Sequence, residues 1–295
     1  MMTPLLSDAG RARLDSIVRP GVLCVFDFDG TLAPIVPQPN QACLPAPVLT
    51  RLVALQQVTR VAILTGRSLV DIGPRLQFKA DFLVGNHGLE GLPQSPPDIR
   101  SFQQMCRLWR EDLAQAFTGG QLADPGIMLE DKLISLSVHY RHAAHHEQVE
   151  PALRAVFGRL NPAPRIIGGK YVFNLLPPTA GDKGTAFDQL MRHSGAPSAL
   201  YVGDDVTDED VFKLDRPNLL SIRIGQSQYS SAEFFLRRHV DIVHLLDTLI
   251  ERLAGQAGSR ALASTIAASA ASAASAATGP AAGNNDNTGL RTLNE

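Results

Sequence analysis

Five apolar residues followed by two carboxylates constrain this chain more than any other stretch. Val22-Leu-Cys-Val-Phe26 runs into Asp27-Phe28-Asp29-Gly30-Thr31. A short run rich in β-branched and aromatic types, with no polar alternation, reads as a strand covered on both faces, as in a parallel sheet. Such a sheet needs helices on both sides. The run ends in acid, and the carboxyl ends of parallel strands are where open α/β sheets bind ligands. The pattern recurs. Val61 to Leu64, Phe82 to Val84, Ala199 to Val202 and Leu219 to Ile224 read as further buried strands, separated by stretches of helical period. Ser68 is placed to cap a helix beginning at Leu69, and Pro45 opens another through Leu55. The predicted fold class is α/β, with a parallel sheet core.

The pattern changes between 98 and 178. Ile99 to Phe117 reads as an amphipathic helix, and Ile127 to Asp131 and Lys132 to Arg141 as paired strands. In the second strand, Leu133, Ser135, Ser137 and His139 alternate with Ile134, Leu136, Val138 and Tyr140, the mark of an antiparallel sheet with one wet face. A helix from Glu147 to Leu160 follows, then a hairpin turning at Gly168-Gly169, with Lys170 and Asn174 on one face of its second strand. The expected organisation is a discontinuous core, 1–97 and 179–255, interrupted by an α+β cap at 98–178. Residues 256–295 are dominated by Ala, Ser, Gly and Asn, with too little apolar bulk for a core, and read as a disordered tail.

A lone Asp-x-Asp would be a solvated acidic turn. Here Gly203-Asp204-Asp205-Val-Thr-Asp208 follows another core strand, so Asp27, Asp29, Asp204 and Asp205 are expected to meet at one sheet edge. Clustered carboxylates repel unless a cation compensates, and a hard divalent ion beside a phosphate fits such oxygen ligands. The group Arg141-His142-Ala-Ala-His145-His146 matches no zinc spacing and reads as a helix start.

Four stretches, in order, resemble the haloacid dehalogenase superfamily of phosphotransferases: Asp27-Phe-Asp-Gly-Thr-Leu, Ile63-Leu-Thr65-Gly-Arg67, Gly181-Asp-Lys183-Gly and Gly203-Asp-Asp-Val-Thr-Asp208. The inserted cap, with Asn86-His-Gly-Leu-Glu90, Val138-His-Tyr-Arg141 and Gly169-Lys170, is similar to the trehalose-6-phosphate phosphatase family within it. That resemblance implies a Rossmannoid core with a C2-type cap and hydrolysis of trehalose 6-phosphate to trehalose and phosphate. It makes Asp27 the nucleophile, Asp29 the general acid and base, and Thr65 and Lys183 holders of phosphoryl oxygens. Mg2+ would sit on Asp27, the Asp29 backbone carbonyl and Asp204, with Asp205 and Asp208 supporting. Substrate contacts would come from Asp27, Phe28, Asp29, Arg67, His87 and Glu90 in the core, and from Lys132, Arg141, Lys170 and Asn174 in the cap. The family pattern has Glu where this chain has Asn174. The alternatives are another capped sugar-phosphate phosphatase or phosphomutase, or a catalytically inactive relative. Arg67 alone leaves two roles open, bonding the loop after Asp29 or reaching substrate.

The net charge of −2, with no basic run, argues against a nucleic-acid partner. No stretch is apolar for the length of a membrane span, and the first residues have no signal-peptide core. Three cysteines with no spacing pattern point to a reducing compartment, hence a cytoplasmic protein, with Cys24 a core residue. The family resemblance also implies a functional link to a trehalose-6-phosphate synthase.

Overall fold

The computed structural model describes residues 2–92, 99–119 and 122–256. The loop around Pro93 to Pro97 and nearly all of the 256–295 tail lie outside the described residues. In chain order, strand β1 (Thr3–Pro4) and helix α1 (Asp8–Ile17) precede β2 (Leu23–Phe26), then α2 (Ala46–Gln56), β3 (Arg60–Leu64), α3 (Leu69–Leu76) and β4 (Phe82–Val84). The middle section holds α4 (Ile99–Ala116), β5 (Met128–Asp131), β6 (Leu136–His139), α5 (His146–Phe157), β7 (Arg165–Gly169) and β8 (Val172–Leu176). The chain closes with α6 (Lys183–Ser194), β9 (Ala199–Gly203), α7 (Glu209–Phe212), β10 (Leu219–Ile224) and β11 (Phe234–Leu236), and with a helix over 241–256, α8.

Seven strands form one parallel sheet in the order β1-β11-β10-β9-β2-β3-β4. Its faces explain the uninterrupted apolar runs. Cys24 and Phe26 of β2 join a cluster with Leu14, Leu52 and Leu245 from α1, α2 and α8. Leu23 and Val25 point the other way, into a cluster with Phe187 and Leu190 of α6. Each fully buried side chain of this kind contributes about 1.5–3 kcal/mol. The chain leaves β2 towards β3 and β4 on one side, and later fills β9, β10 and β11 on the other. The order therefore reverses at β2, and a crevice opens between the carboxyl ends of β2 and β9.

The middle section is a four-stranded antiparallel sheet, β5-β6-β8-β7, with its own apolar cluster. Leu136, Val138, Phe173 and Leu175 face α4 and α5, whose Trp109 and Leu153 are fully buried against them. Trp109 also donates through Nε1 to the Pro162 carbonyl at 2.7 Å.

Three expectations for this section need correction. The strand predicted from Lys132 begins only at Leu136. Residues 132–135 form a turn in which Leu133 takes a left-handed φ of 70°, and Asp131 Oδ1 accepts its amide at 2.8 Å. The hairpin does not turn at Gly168-Gly169. Both glycines are in register on β7, and a Cβ on Gly169 would stand 2.9 Å from Val172 Cγ1, so Gly169 makes room for packing. The turn comes at Lys170-Tyr171, with Tyr171 at φ 62°, so Lys170 stands in the turn and not on the strand that carries Asn174. The polar face of β6 is wet only in part: Ser137, and Ser135 just before the strand, are buried, while His139 is half-buried. Ser135 Oγ donates to Asn86 Oδ1 at 2.9 Å, so this face is turned towards the parallel sheet. The N-terminal strand β1, two residues long at the sheet edge, carries no periodic signal and was not expected.

Candidate active site

Asp27 follows β2 directly, and its amide continues the ladder by donating to the Val202 carbonyl at 2.9 Å. The chain then turns sharply at Gly30, φ 81°, where a Cβ would fall 2.1 Å from Asp204 Oδ2. Only glycine lets this loop approach the acidic end of β9 so closely. Gly203 serves the same end, since a Cβ there would meet Asp208 Cγ at 2.3 Å. Asp208 is wholly buried. Its Oδ2 accepts the amides of Asp204 and Asp205 at 2.8 and 2.9 Å, and its Oδ1 accepts Lys183 Nζ at 2.7 Å and Tyr201 OH at 2.6 Å. Lys183 opens α6, capped by Asp182, whose side chain accepts the Thr185 amide at 2.8 Å. Its Nζ also donates to Asp27 Oδ1 at 2.8 Å.

One buried ammonium thus faces several carboxylates. Burial pushes Asp27 well above the usual carboxylate range; Lys183 opposes this, while Asp208 and Asp204 add to it. Burial, with the charges of Asp208 and Asp205, pushes Asp204 up to about 7. For Lys183, burial works against its charge, but Asp208 and Asp27 outweigh it and raise its pKa. Asp27, Asp204 and Asp208 each offer an oxygen within 4.8 Å of the others. This excess of buried negative charge fits a hard divalent cation. Both Asp208 oxygens are already engaged, so Asp208 orients its neighbours, and Asp27 and Asp204 are the side chains left to hold metal. Asp205 is exposed and caps the short turn at Val206–Asp208.

On the other side of the crevice, Thr65 ends β3, buried, with its hydroxyl accepting the Arg67 amide at 3.2 Å. Arg67 grips the Asp29 carboxylate through Nε and Nη2, and donates to Asp71 Oδ2 at 2.6 Å and to the Pro39 carbonyl at 2.9 Å. Of the two roles open from sequence, bonding the loop after Asp29 is therefore present. Phe28 is buried, with the Arg67 guanidinium 5.6 Å from its ring centroid. His87, at φ 57°, packs its ring over Gly66, where a Cβ would meet it at 2.5 Å. Burial, then the charges of Lys183, Lys132 and Arg165, hold this imidazole well below its usual range, and its Nδ1 is buried without a partner. Glu90 is a brace: one oxygen accepts the Leu69 amide at 2.6 Å and the other Asn86 Nδ2 at 2.8 Å.

The antiparallel lobe meets this edge at several points. Lys132 Nζ donates to the Gly66 carbonyl at 3.2 Å, and Arg165 Nη2 to the Gly181 carbonyl at 2.5 Å. Asn174 is paired across the strands with Ser137, whose hydroxyl donates to its Oδ1 at 2.6 Å. Cross-strand register places Glu130 on that same face, where it bonds His139 Nε2 at 2.9 Å. Arg141 and Lys170 meet at the hairpin turn, where Arg141 Nη2 reaches the Lys170 carbonyl at 3.4 Å and lies over the Tyr171 ring. The structure thus gathers Asp27, Asp204 and Lys183 at one edge and joins Asp29 to Arg67 beside Thr65. Lys132 and His87 both reach Gly66. Arg141 and Lys170 form a separate pair.

Sequence reasoning missed Asp71, Tyr201, Ser135 and Arg165. Asp71 stands four residues before Arg75 on α3 and four after Arg67, which precedes the Ser68 cap, a spacing that signals the pairing. Tyr201 bonds Asp208 seven residues on, while Ser135 and Arg165 act across the fold, and none of these pairings has a spacing that announces it.

A family model described as Trehalose-phosphatase matches residues 25–238. The chain is 36% identical over 204 residues to a trehalose-phosphate phosphatase of Mycobacterium avium (strain 104), covering 63% of this chain and 49% of that one. It is 33% identical over 238 residues to the protein of that name from Mycobacterium marinum (strain ATCC BAA-535 / M), covering 76% and 59%. The chain therefore spans between about half and two thirds of the length of such relatives. Among solved structures, the C-terminal domain of the C. albicans trehalose-6-phosphate phosphatase superposes with a TM-score of 0.67 at 20% identity, over 85% of this chain and 99% of that one. That likeness is one of fold. Among the described residues, no helix is long and apolar enough to cross a membrane.

Proposed function

The chain belongs to the trehalose-phosphatase family, and from that premise we propose that it hydrolyses trehalose 6-phosphate to trehalose and phosphate. The observation that carries the reading is Lys183, buried between Asp27 and Asp208 at the reversal point of a parallel sheet, beside Asp204.

Asp27 attacks phosphorus, a bond forms from its carboxylate oxygen, and the bond to the sugar oxygen breaks. Asp29, protonated on one oxygen once an arm of the Arg67 fork lets go, gives the sugar oxygen its proton. It then takes a proton from the water that cleaves the acyl phosphate, which releases phosphate and restores Asp27. Arg67 aims Asp29 across the crevice. Lys183 and Thr65 offset and hold the charge of the phosphoryl oxygens in transit. Mg2+, held by Asp27, Asp204 and the Asp29 backbone carbonyl, would neutralise charge on the same oxygens. Residues 98–178 act as the cap that selects the sugar, with Lys132, Asn174 and the Glu130–His139 pair on the face turned to the core. His87, neutral and with Nδ1 unpartnered, accepts from a substrate hydroxyl.

Phosphate release from a panel of sugar phosphates, with and without Mg2+, tests the reading. Trehalose 6-phosphate should be the preferred substrate, and activity should require the metal. Asn174, standing where the family pattern has Glu, favours one other reading, a capped phosphatase for a different sugar. A rank order led by another sugar phosphate would establish it. Isomerised rather than free phosphate would mark a mutase.

A further inference from the structure

Arg165 has no part in the reading above, yet it is placed where three segments meet. It opens β7 of the antiparallel lobe, in register with buried Leu176 of β8. Its side chain leaves that lobe. Nη2 donates to the carbonyl of Gly181 at 2.5 Å, and Nε is buried with no partner. Gly181 leads into Asp182 and Lys183. The first turn of α6 is tightly seated: a Cβ on Gly184 would stand 2.4 Å from the Asp210 carbonyl, and one on Gly88, next to His87, 2.5 Å from Ala186 Cβ. The guanidinium charge is felt by Asp182, Asp210 and His87 alike. A surface stitch would leave its spare donor in water. This one leaves it buried, which is costly unless the group is held there by something else.

We infer that Arg165 is a positioning residue for phosphoryl transfer: through the Gly181 carbonyl it fixes the turn that aims Lys183 at Asp27, so that the seating of the antiparallel lobe is read at the catalytic ammonium. It touches neither the nucleophile nor the transferred group. The inference rests on the phosphatase reading for its kinetic arm only.

Two measurements on Arg165→Ala and Arg165→Lys test it. The first is amide exchange of the segment 181–185, which needs no substrate. Arg165→Ala should exchange there at least roughly fivefold faster, with the end of α6 unchanged. The second is steady-state hydrolysis of trehalose 6-phosphate and of a small aryl phosphate, which has no second sugar ring. Arg165→Ala should lose about 10- to 100-fold in kcat on both, with KM within about threefold, because what is lost is alignment and not binding. Arg165→Lys, whose ammonium still reaches a carbonyl, should recover most of both effects. Unchanged exchange at 181–185 would overturn the inference whatever the activity. So would a loss confined to KM for the disaccharide, which would make Arg165 a sugar contact. A wild-type enzyme inert on every phosphate ester would sink the phosphatase reading and with it the catalytic part of the inference, and the exchange arm would then decide only whether Arg165 fixes the turn before Lys183.

Discussion

Arg67 holds Asp29 by both carboxylate oxygens, Nε to Oδ2 at 2.6 Å and Nη2 to Oδ1 at 2.7 Å. The fork lies over Phe28 and is itself anchored by Asp71 and the Pro39 carbonyl, so the carboxylate proposed as acid and base is oriented by a rigid donor pair. A lysine keeps the charge and loses the fork. Arg67→Lys should lower kcat by roughly 10- to 100-fold, the worth of one charge-assisted hydrogen bond at about 1.5–3 kcal/mol. Steady-state kinetics of that variant decide it, and wild-type kcat would show that Asp29 needs no such guide.

Asp27→Asn should abolish turnover. An amide is a poor nucleophile, and the exchange also removes the carboxylate that Lys183 grips. Retention of more than roughly a hundredth of wild-type kcat would rule out Asp27 as the nucleophile, since loss of a covalent nucleophile costs far more.

Treatment with EDTA should stop hydrolysis, and Mg2+ should restore it. Because Asp27 and Asp204 are left without enough positive charge, Mg2+ should also raise the melting temperature of the resting protein. The rise should vanish in Asp204→Asn. Full activity in a metal-free preparation would remove the metal from the mechanism.

Asp71 supplies a pH test. Burial raises its pKa, but hydrogen bonds from Arg75 and Arg67 outweigh that and hold the carboxyl below its ordinary value. A depressed carboxylate stabilises the fold above its unfolded pKa and loses that contribution as pH falls through the folded one. Asp71→Asn should therefore cost about 1 kcal/mol at pH 6, in keeping with a partly exposed ion network. The gap between variant and wild type should narrow below about pH 4. Urea titrations at pH 3.5 and 6 would measure both gaps, and an equal gap at the two would show that the ion pairs contribute nothing.

Asn174 and Ser137 lie on the face of the antiparallel sheet turned towards the core. Asn174→Ala should lower kcat/KM for trehalose 6-phosphate by about tenfold, the worth of a lost hydrogen bond. Hydrolysis of a small aryl phosphate should hardly change. Equal losses on the two substrates would make Asn174 a support of the fold.

What could be read from the sequence was what is local. Each strand of the parallel sheet that carries chemistry is a short apolar run ending in its own functional group, so Asp27, Thr65 and Asp204 could be placed before any coordinates. The Ser68 cap was legible for the same reason, and the structure has its hydroxyl accepting the Asp71 amide. What misled was context. Ser135 and Ser137 alternate as a solvated face would, and only the fold shows that both are buried, Ser135 bonded to Asn86 and Ser137 to Asn174. Gly168 and Gly169 read as a turn because glycine usually marks one, but here both lie on β7 and the missing side chain of Gly169 makes room for Val172. Lys170 moved with that turn. Arg165 acts on a carbonyl sixteen residues on, in the loop before α6, and nothing in its neighbours announces it.

The pairing of β2 has a consequence for how the chain is made. One edge of this strand is satisfied early, by β3, but the other waits for β9, which is translated only after the whole antiparallel section. Until then the strand that leads into Asp27 is an edge, open, apolar and free to recruit a neighbour. A nascent chain stalled before Ala199 exposes that edge, and it is there that aggregation of incomplete chains should begin.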